Sequence, residues 1–361
     1  MSSATFCSVI TGTGSYLPSN PISNDDFIEN EFYDTRGNKL ETSIQEIIEK
    51  FKAITGIHKR RYVSSELVAS DIAYLAAKQA IESSHTDLET FDYIIVAHNF
   101  GDIRFGDNRT DMVPSLAARV KHKLGIENPF TVAFDLPFGC PGWLQAMITA
   151  NYFIRSGDAK KVLVIGAETL SRVSDPHDRD SMIYADGAGA TILEAVQSER
   201  PCGILSHSSR SDTKTHFKLM WMGKSNNPLS GNGDYYIKMN GHRLYEYAIS
   251  NVPQLVKETI EKAGIEASLV KKILIHQANE KLDQEIVNRI YRLYGYEEPP
   301  ADIMPMTISF LGNNSVATIP TLIDLLWKKK LKGHSLDPGD HVVFASVGAG
   351  MNINAMVYRM V

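Results

Sequence analysis

Apolar positions along this chain follow two periods. Short, mainly apolar runs stand at 93–97, 161–166, 271–275 and 342–346, the pattern of strands buried on both faces. Shorter runs at 7–11, 130–134 and 191–194 also predict strands. Between them, apolar residues recur every three or four positions and predict helices over 70–82, 115–124, 143–154, 245–263, 282–293 and from about 315 to 326. Gly125, Gly264 and Gly295 stand where three of these would end. The glycine-bearing stretch 12–18 predicts a turn at a strand end, and 185–190 leads into the strand 191–194. A dinucleotide fingerprint is excluded at 12–18, because Leu17 and Pro18 stand where a third glycine and a helix start are needed. The polar stretch 24–52 carries one helical segment, 44–51. Lys59-Arg60-Arg61 predicts a solvated turn, and 100–114 is a long aperiodic loop of the kind that often serves function.

The order of elements repeats. Residues 93–99 match 272–279, residues 161–167 match 341–349, and Phe138-Gly139-Cys140 matches Leu311-Gly312-Asn313. This duplication by pattern predicts two α/β halves, 1–196 and 197–361, stacked as layered sheets with helices shared between them. Ligands then belong at the carboxyl ends of strands.

Hydrophobic content of 43% and charged content of 22% over 361 residues describe an ordinary globular chain with a large core. A formal net charge of −5 gives no excess of cations to neutralise phosphates, so nucleic acid is not the expected partner. The three cysteines, Cys7, Cys140 and Cys202, form no C-x-x-C pair. A disulfide framework and a cysteine metal site are therefore not expected, and a reducing compartment is. Residues 1–11 lack the pattern of a signal peptide, and no run of about 18 apolar residues exists to span a membrane. A cytoplasmic protein is the expectation.

Chemistry concentrates at 134–144. Cys140 sits on a strand-to-helix turn with Gly139 and Gly142 on either side and Pro141 suited to a first helical turn. A thiol at a helix N-terminus is biased toward thiolate, although free cysteines are more often small core residues. His276 ends the 271–275 strand, and Asn313 opens Asn-Asn-Ser before a helix. Alone, the first reads as a structural histidine and the second as a helix cap. Together with Cys140 they could hold an acyl thioester and stabilise an enolate. The backbone N–H groups of Cys140 and of the 348–350 turn could form a second oxyanion hole.

The chain resembles the β-ketoacyl-acyl carrier protein synthase III group of thiolase-like condensing enzymes over essentially its whole length. The matching stretches are GTGSYLP (12–18), TGI (55–57), the Cys140 turn, SGDAKKVLVIGAE (156–168), ADGAGATILE (185–194), HQAN (276–279) and GNNSVATIP (312–320). The resemblance implies a thiolase-like duplicated five-layered αβαβα fold, a homodimer and a Cys140–His276–Asn313 triad. It implies acyl transfer to cysteine followed by Claisen condensation, with acyl carrier protein or coenzyme A thioesters as substrates and no metal or other cofactor. Ala349 stands within the family's Gly-Gly-Gly loop and supplies the second oxyanion N–H. Val113 stands at the aromatic gate of the acyl pocket. Arg179 and Lys281 match positions that bind coenzyme A or the carrier. Lys50 and Ile54 replace the Trp and Arg that hold coenzyme A in primer-using members. These departures resemble the condensing enzymes of dialkylresorcinol and flexirubin-type pigments. There a β-ketoacyl and a second acyl thioester are joined and cyclised to a cyclohexanedione. The alternatives are a fatty-acid initiation enzyme using acyl-coenzyme A with malonyl-carrier protein, and a non-catalytic partner subunit. A hydroxymethylglutaryl-type synthase would need a carboxylate such as Glu168 near the cysteine, which the sequence does not place. HQAN stands where plant-type polyketide synthases carry H-P-G-G.

Overall fold

The computed structural model describes residues 5–231 and 233–361; the first four residues of the 1–11 stretch lie outside it. Two sheets carry the molecule. In the first, the strands run Thr5–Tyr16, Asp186–Ser198, Lys161–Thr169, Tyr93–His98 and Val132–Pro137 from edge to edge. The last three are parallel and the first two pair antiparallel. The second sheet repeats the pattern with Val270–Ile275, His341–Gly348, Asn352–Arg359 and Gly203–Ser211, the first pair parallel and the others antiparallel. Where the first sheet has Val132–Pro137, the second has only irregular chain, touched when the Ile273 N–H donates to the Ile303 carbonyl at 2.9 Å.

The parallel strands are buried on both faces because helices cover both. The helices Gly142–Ser156 and Thr318–Trp327 lie between the sheets. Trp143, Met147, Leu322 and Ile323 pack there against Val164 of one sheet and Phe344 and Met356 of the other. The helices Ala69–Ser84 and Leu116–Leu124 cover the outer face of the first sheet, and Gly241–Lys262 and Glu280–Arg292 that of the second. The layers are αβαβα, and the fold is thiolase-like. We propose the division into halves 1–196 and 197–361 on this repeat.

Two glycine stretches expected to flank strands lie within them. Thr5–Tyr16 continues through Gly12 and Gly14, which pair with Ile192 and Ala190. A Cβ on Gly14 would stand 2.2 Å from the Ala76 carbonyl oxygen, so the glycines serve to let the Ala69–Ser84 helix lie directly on the strand. Likewise Asp186–Ser198 includes Gly187 and Gly189, and a Cβ on Gly189 would meet Pro320 at 2.7 Å. The basic turn is corrected too. Arg60 lies in the strand Lys59–Tyr62 and is fully buried. Its guanidinium donates to the carbonyls of Met182 and Ile22 and to Asn24 Oδ1, and its Cζ lies 4.9 Å from the centre of the Phe27 ring. Burial pulls it down to about 10. It ties the 20–28 segment to the body of the protein. The helix expected from 315 begins as a single turn, Ser315–Ala317, and continues as Thr318–Trp327.

Candidate active site

Cys140 lies between the strand Val132–Pro137 and the helix Gly142–Ser156, as the glycine spacing required. Gly139 takes φ +72°, and its carbonyl accepts from the Gly142 N–H at 2.9 Å. The turn is clasped from the second half. A Cβ on Gly348 would stand 2.6 Å from the Cys140 nitrogen, so only glycine allows the two turns to meet. Pro141 is the N-cap, which leaves the start of a 15-residue helix facing the thiol.

His276 follows Val270–Ile275, and its N–H donates to the Ala345 carbonyl at 2.9 Å. The residues after it are structural. Gln277 donates to the Pro305 carbonyl and accepts from Thr307, and Asn279 caps Glu280–Arg292 by accepting from the Leu282 N–H. Asn313 is no helix cap. Its own N–H donates to the Ile183 carbonyl, and its Oδ1 accepts from the Ser315 N–H and from His276 Nε2, both at 2.9 Å. Two donors on Oδ1 orient the amide and require a proton on His276 Nε2. Gly312, at φ +70°, lets this turn pass within contact of Arg60 and Ala185.

Cys140, His276 and Asn313 therefore share one site. Burial pushes the Cys140 thiol up, but the charge of His276, its hydrogen bond and one from Ser315 outweigh burial and leave the thiol below its usual range. Burial works against a charged His276, yet the thiolate, Asn313 and Asp283 together raise it to about 9. Each group thus favours the charged form of the other.

The sequence did not place a second group around the thiol. Asn99 donates to Glu168 Oε1 and, at 3.1 Å, to Ser315 Oγ. Glu168 is buried. Desolvation, against the pull of the Asn99 hydrogen bond, holds its carboxyl well above the usual range, with the charge of Cys140 adding to the rise. Its position at the end of Lys161–Thr169 was visible; its contact with Ser315 through Asn99 spans sequence separations no local pattern carries.

Cys140 opens into a cavity of about 200 Å³ with a wall largely of Phe100, Leu170, Trp221, Met222 and Ile237. Ala349 lines it beside Cys140. Three expected site residues lie elsewhere on the chain. Val113 is 87% exposed and lines none of the cavities described here. Arg179 is exposed, 3.9 Å from Asp180. Lys281 lies on a surface hollow with Lys52, His58, Glu49 and Glu280. No group of three or more metal-ligating side chains occurs among the described residues, and none of their helices is long and apolar enough to cross a membrane.

Two family models match the chain. That of 3-oxoacyl-[acyl-carrier-protein (ACP)] synthase III covers residues 134–213, and that of its C-terminal part covers 260–360. Among solved structures, the 3-oxoacyl-[acyl-carrier-protein] synthase III of Aquifex aeolicus VF5 is 30% identical at a TM-score of 0.78, covering 98% of this chain and 99% of its own. The Thermus thermophilus synthase III is 29% identical at 0.78 over the same shares. That of Pseudomonas aeruginosa PAO1 is 25% identical at 0.80, covering 98% of each chain. With the cysteine turn inside the first matched segment and the histidine and asparagine turns inside the second, the chain belongs to the 3-oxoacyl-[acyl-carrier-protein] synthase III family of thiolase-fold condensing enzymes.

Proposed function

We propose that this ketosynthase carries an acyl group on Cys140 and joins it to a β-ketoacyl-carrier protein, with ring closure to a cyclohexanedione precursor of dialkylresorcinols. The thiolate–imidazolium pair opening into an apolar cavity carries the reading. The Cys140 thiolate attacks the thioester carbonyl, a carbon–sulfur bond forms, and the donor thiolate leaves with the proton of His276. The backbone N–H groups of Cys140 and Ala349 receive the oxyanion. Acylation removes the thiolate charge that raised His276, so the imidazole becomes neutral. It can then accept the proton between the two carbonyls of the partner, while the Asn313 NH₂ and the imidazolium hold the enolate oxygen. Carbon–carbon bond formation expels Cys140 as thiolate.

Acyl carrier protein as the donor of both substrates is supported at Lys50 and Ile54. Lys50 is paired with Glu46 at 2.7 Å and Ile54 is 54% exposed, so neither offers a stacking ring or a guanidinium to a coenzyme A head. Lys281 and Arg179, both exposed, belong to the docking surface in this reading. A homodimer is proposed because Val113, Phe105 and Phe130 stand bare on one chain, and the gate at Val113 closes a pocket only from a second copy. A second reading, fatty-acid initiation from acyl-coenzyme A and malonyl-carrier protein, is favoured by the 30% identity to the Aquifex synthase III. Product analysis separates them. Cyclohexanedione from a β-ketoacyl-carrier protein and an unsaturated acyl thioester supports the first. A linear 3-ketoacyl product with release of CO₂ from malonyl-carrier protein alone supports the second.

A further inference from the structure

A second cavity opens on Cys140, and its wall differs from that of the first. It holds about 40 Å³ and lies on the side of Gly241–Lys262 and Glu280–Arg292. Leu244, Val252 and Ile286 form its apolar part. Against them stand Tyr184, His276, Asp283 and Ser346, each less than 5% exposed. Each of the four carries a buried polar atom with no hydrogen-bond partner: Tyr184 Oη, His276 Nδ1, Asp283 Oδ2 and Ser346 Oγ. Among the described residues such atoms are few, and four share this one wall. A buried polar atom left unpaired costs about 1–3 kcal/mol, and convergence of four on one small space beside a nucleophile is how a site for a polar ligand is built.

Size and charge narrow the ligand. A water-sized group needs roughly 10–15 Å³, so the space takes a compact head of two or three heavy atoms rather than an alkyl chain. Burial penalises the charged forms of the Tyr184 phenol and the Asp283 carboxyl and pushes both up. An anionic head would meet the same desolvation that pushes up both Asp283 and Glu168. A neutral carbonyl accepts hydrogen bonds from Tyr184 and Ser346 with no such cost.

We propose that this cavity is a subsite for the distal carbonyl of the condensing partner, with Tyr184 and Ser346 as its donors and burial disfavouring a carboxylate. The specificity of the enzyme is then a choice between 3-ketoacyl and malonyl partners made at this wall. The apolar cavity takes the acyl chain on Cys140. The inference rests on the proposed use of a β-ketoacyl partner and names the residues that select it.

The test compares kcat/KM for a 3-ketoacyl-carrier protein and for malonyl-carrier protein with the same acylated enzyme, in wild type, Tyr184→Phe and Ser346→Ala. Intact mass after acylation confirms that each variant folds and loads Cys140. A fall in the 3-ketoacyl to malonyl ratio of about five- to tenfold per variant, the worth of one hydrogen bond, is expected. Equal losses for both partners in loaded variants overturn the subsite. Wild type that accepts malonyl-carrier protein and never the 3-ketoacyl partner overturns the functional reading beneath it, and the subsite with it.

Discussion

His276→Ala isolates what makes Cys140 reactive. In the native site burial alone would raise the thiol, and the imidazolium reverses this. For an ion pair about 4 Å apart at an effective dielectric near 20, the attraction is about 4 kcal/mol, and each pKa unit is worth about 1.4 kcal/mol. Removing His276 therefore raises the Cys140 thiol, with Ser315 keeping part of the depression. At neutral pH labelling slows by about tenfold for each 1.4 kcal/mol of that attraction lost. The assay is the rate of iodoacetamide labelling of Cys140 between pH 5.5 and 10.5, followed by intact mass. The sign is specific. In wild type the thiol is depressed, so labelling climbs to its plateau below the ordinary thiol range. The His276 proton, held to about 9, is lost only above that. Acyl transfer, which needs the imidazolium to protonate the leaving thiol, declines as pH rises through about 9. In the variant the labelling inflection moves above the ordinary thiol value. Coincident inflections in the two proteins would refute the ion pair.

Other substitutions test separate links. Asn313→Ala removes the acceptor that orients His276 and should leave self-acylation partly intact while carbon–carbon bond formation falls by at least about a hundredfold. Single-turnover product analysis separates the two steps. Gly348→Ala places a methyl 2.6 Å from the Cys140 nitrogen and should cost about 1–3 kcal/mol with loss of acylation, read by denaturant melts and intact mass. Arg60→Met strands the carbonyls of Met182 and Ile22 and should destabilise by about 2–4 kcal/mol, whereas a solvated arginine would leave the urea midpoint within about 0.5 kcal/mol. Val113→Phe should shorten the acyl chain accepted; unchanged chain-length selectivity would remove Val113 from the gate.

The strands and helices of both halves were legible because each buries a continuous run or a helical face, and those patterns are local. The Cys140 turn was legible for the same reason, since its glycines and its helix start are contiguous. Legibility failed where a local rule met a distant neighbour. Gly12, Gly14, Gly187 and Gly189 look out of place in a strand until a helix, Asn314 or Pro320 is laid against them. Arg60 looks solvated until Met182, 122 positions away, accepts its hydrogen bond. The strands Gly203–Ser211 and Asn352–Arg359 escaped notice because they carry Ser, Asn and Arg among their apolar residues. Around the site, the order of His276 and Asn313 in the chain pointed to the chemistry through resemblance. Glu168, Asn99, Tyr184 and Asp283 carry no motif, and only the folded chain brings them to the cysteine.

The central claim is that Cys140 carries the acyl group that is condensed. Intact-protein mass spectrometry after mixing the enzyme with acyl carrier protein thioesters and coenzyme A thioesters tests it most directly. The account predicts a single acyl mass gain, mapped to Cys140 and absent in Cys140→Ala, that disappears when the condensing partner is added as product forms. Product formation by Cys140→Ala at the wild-type rate, or no adduct from any donor, would contradict it.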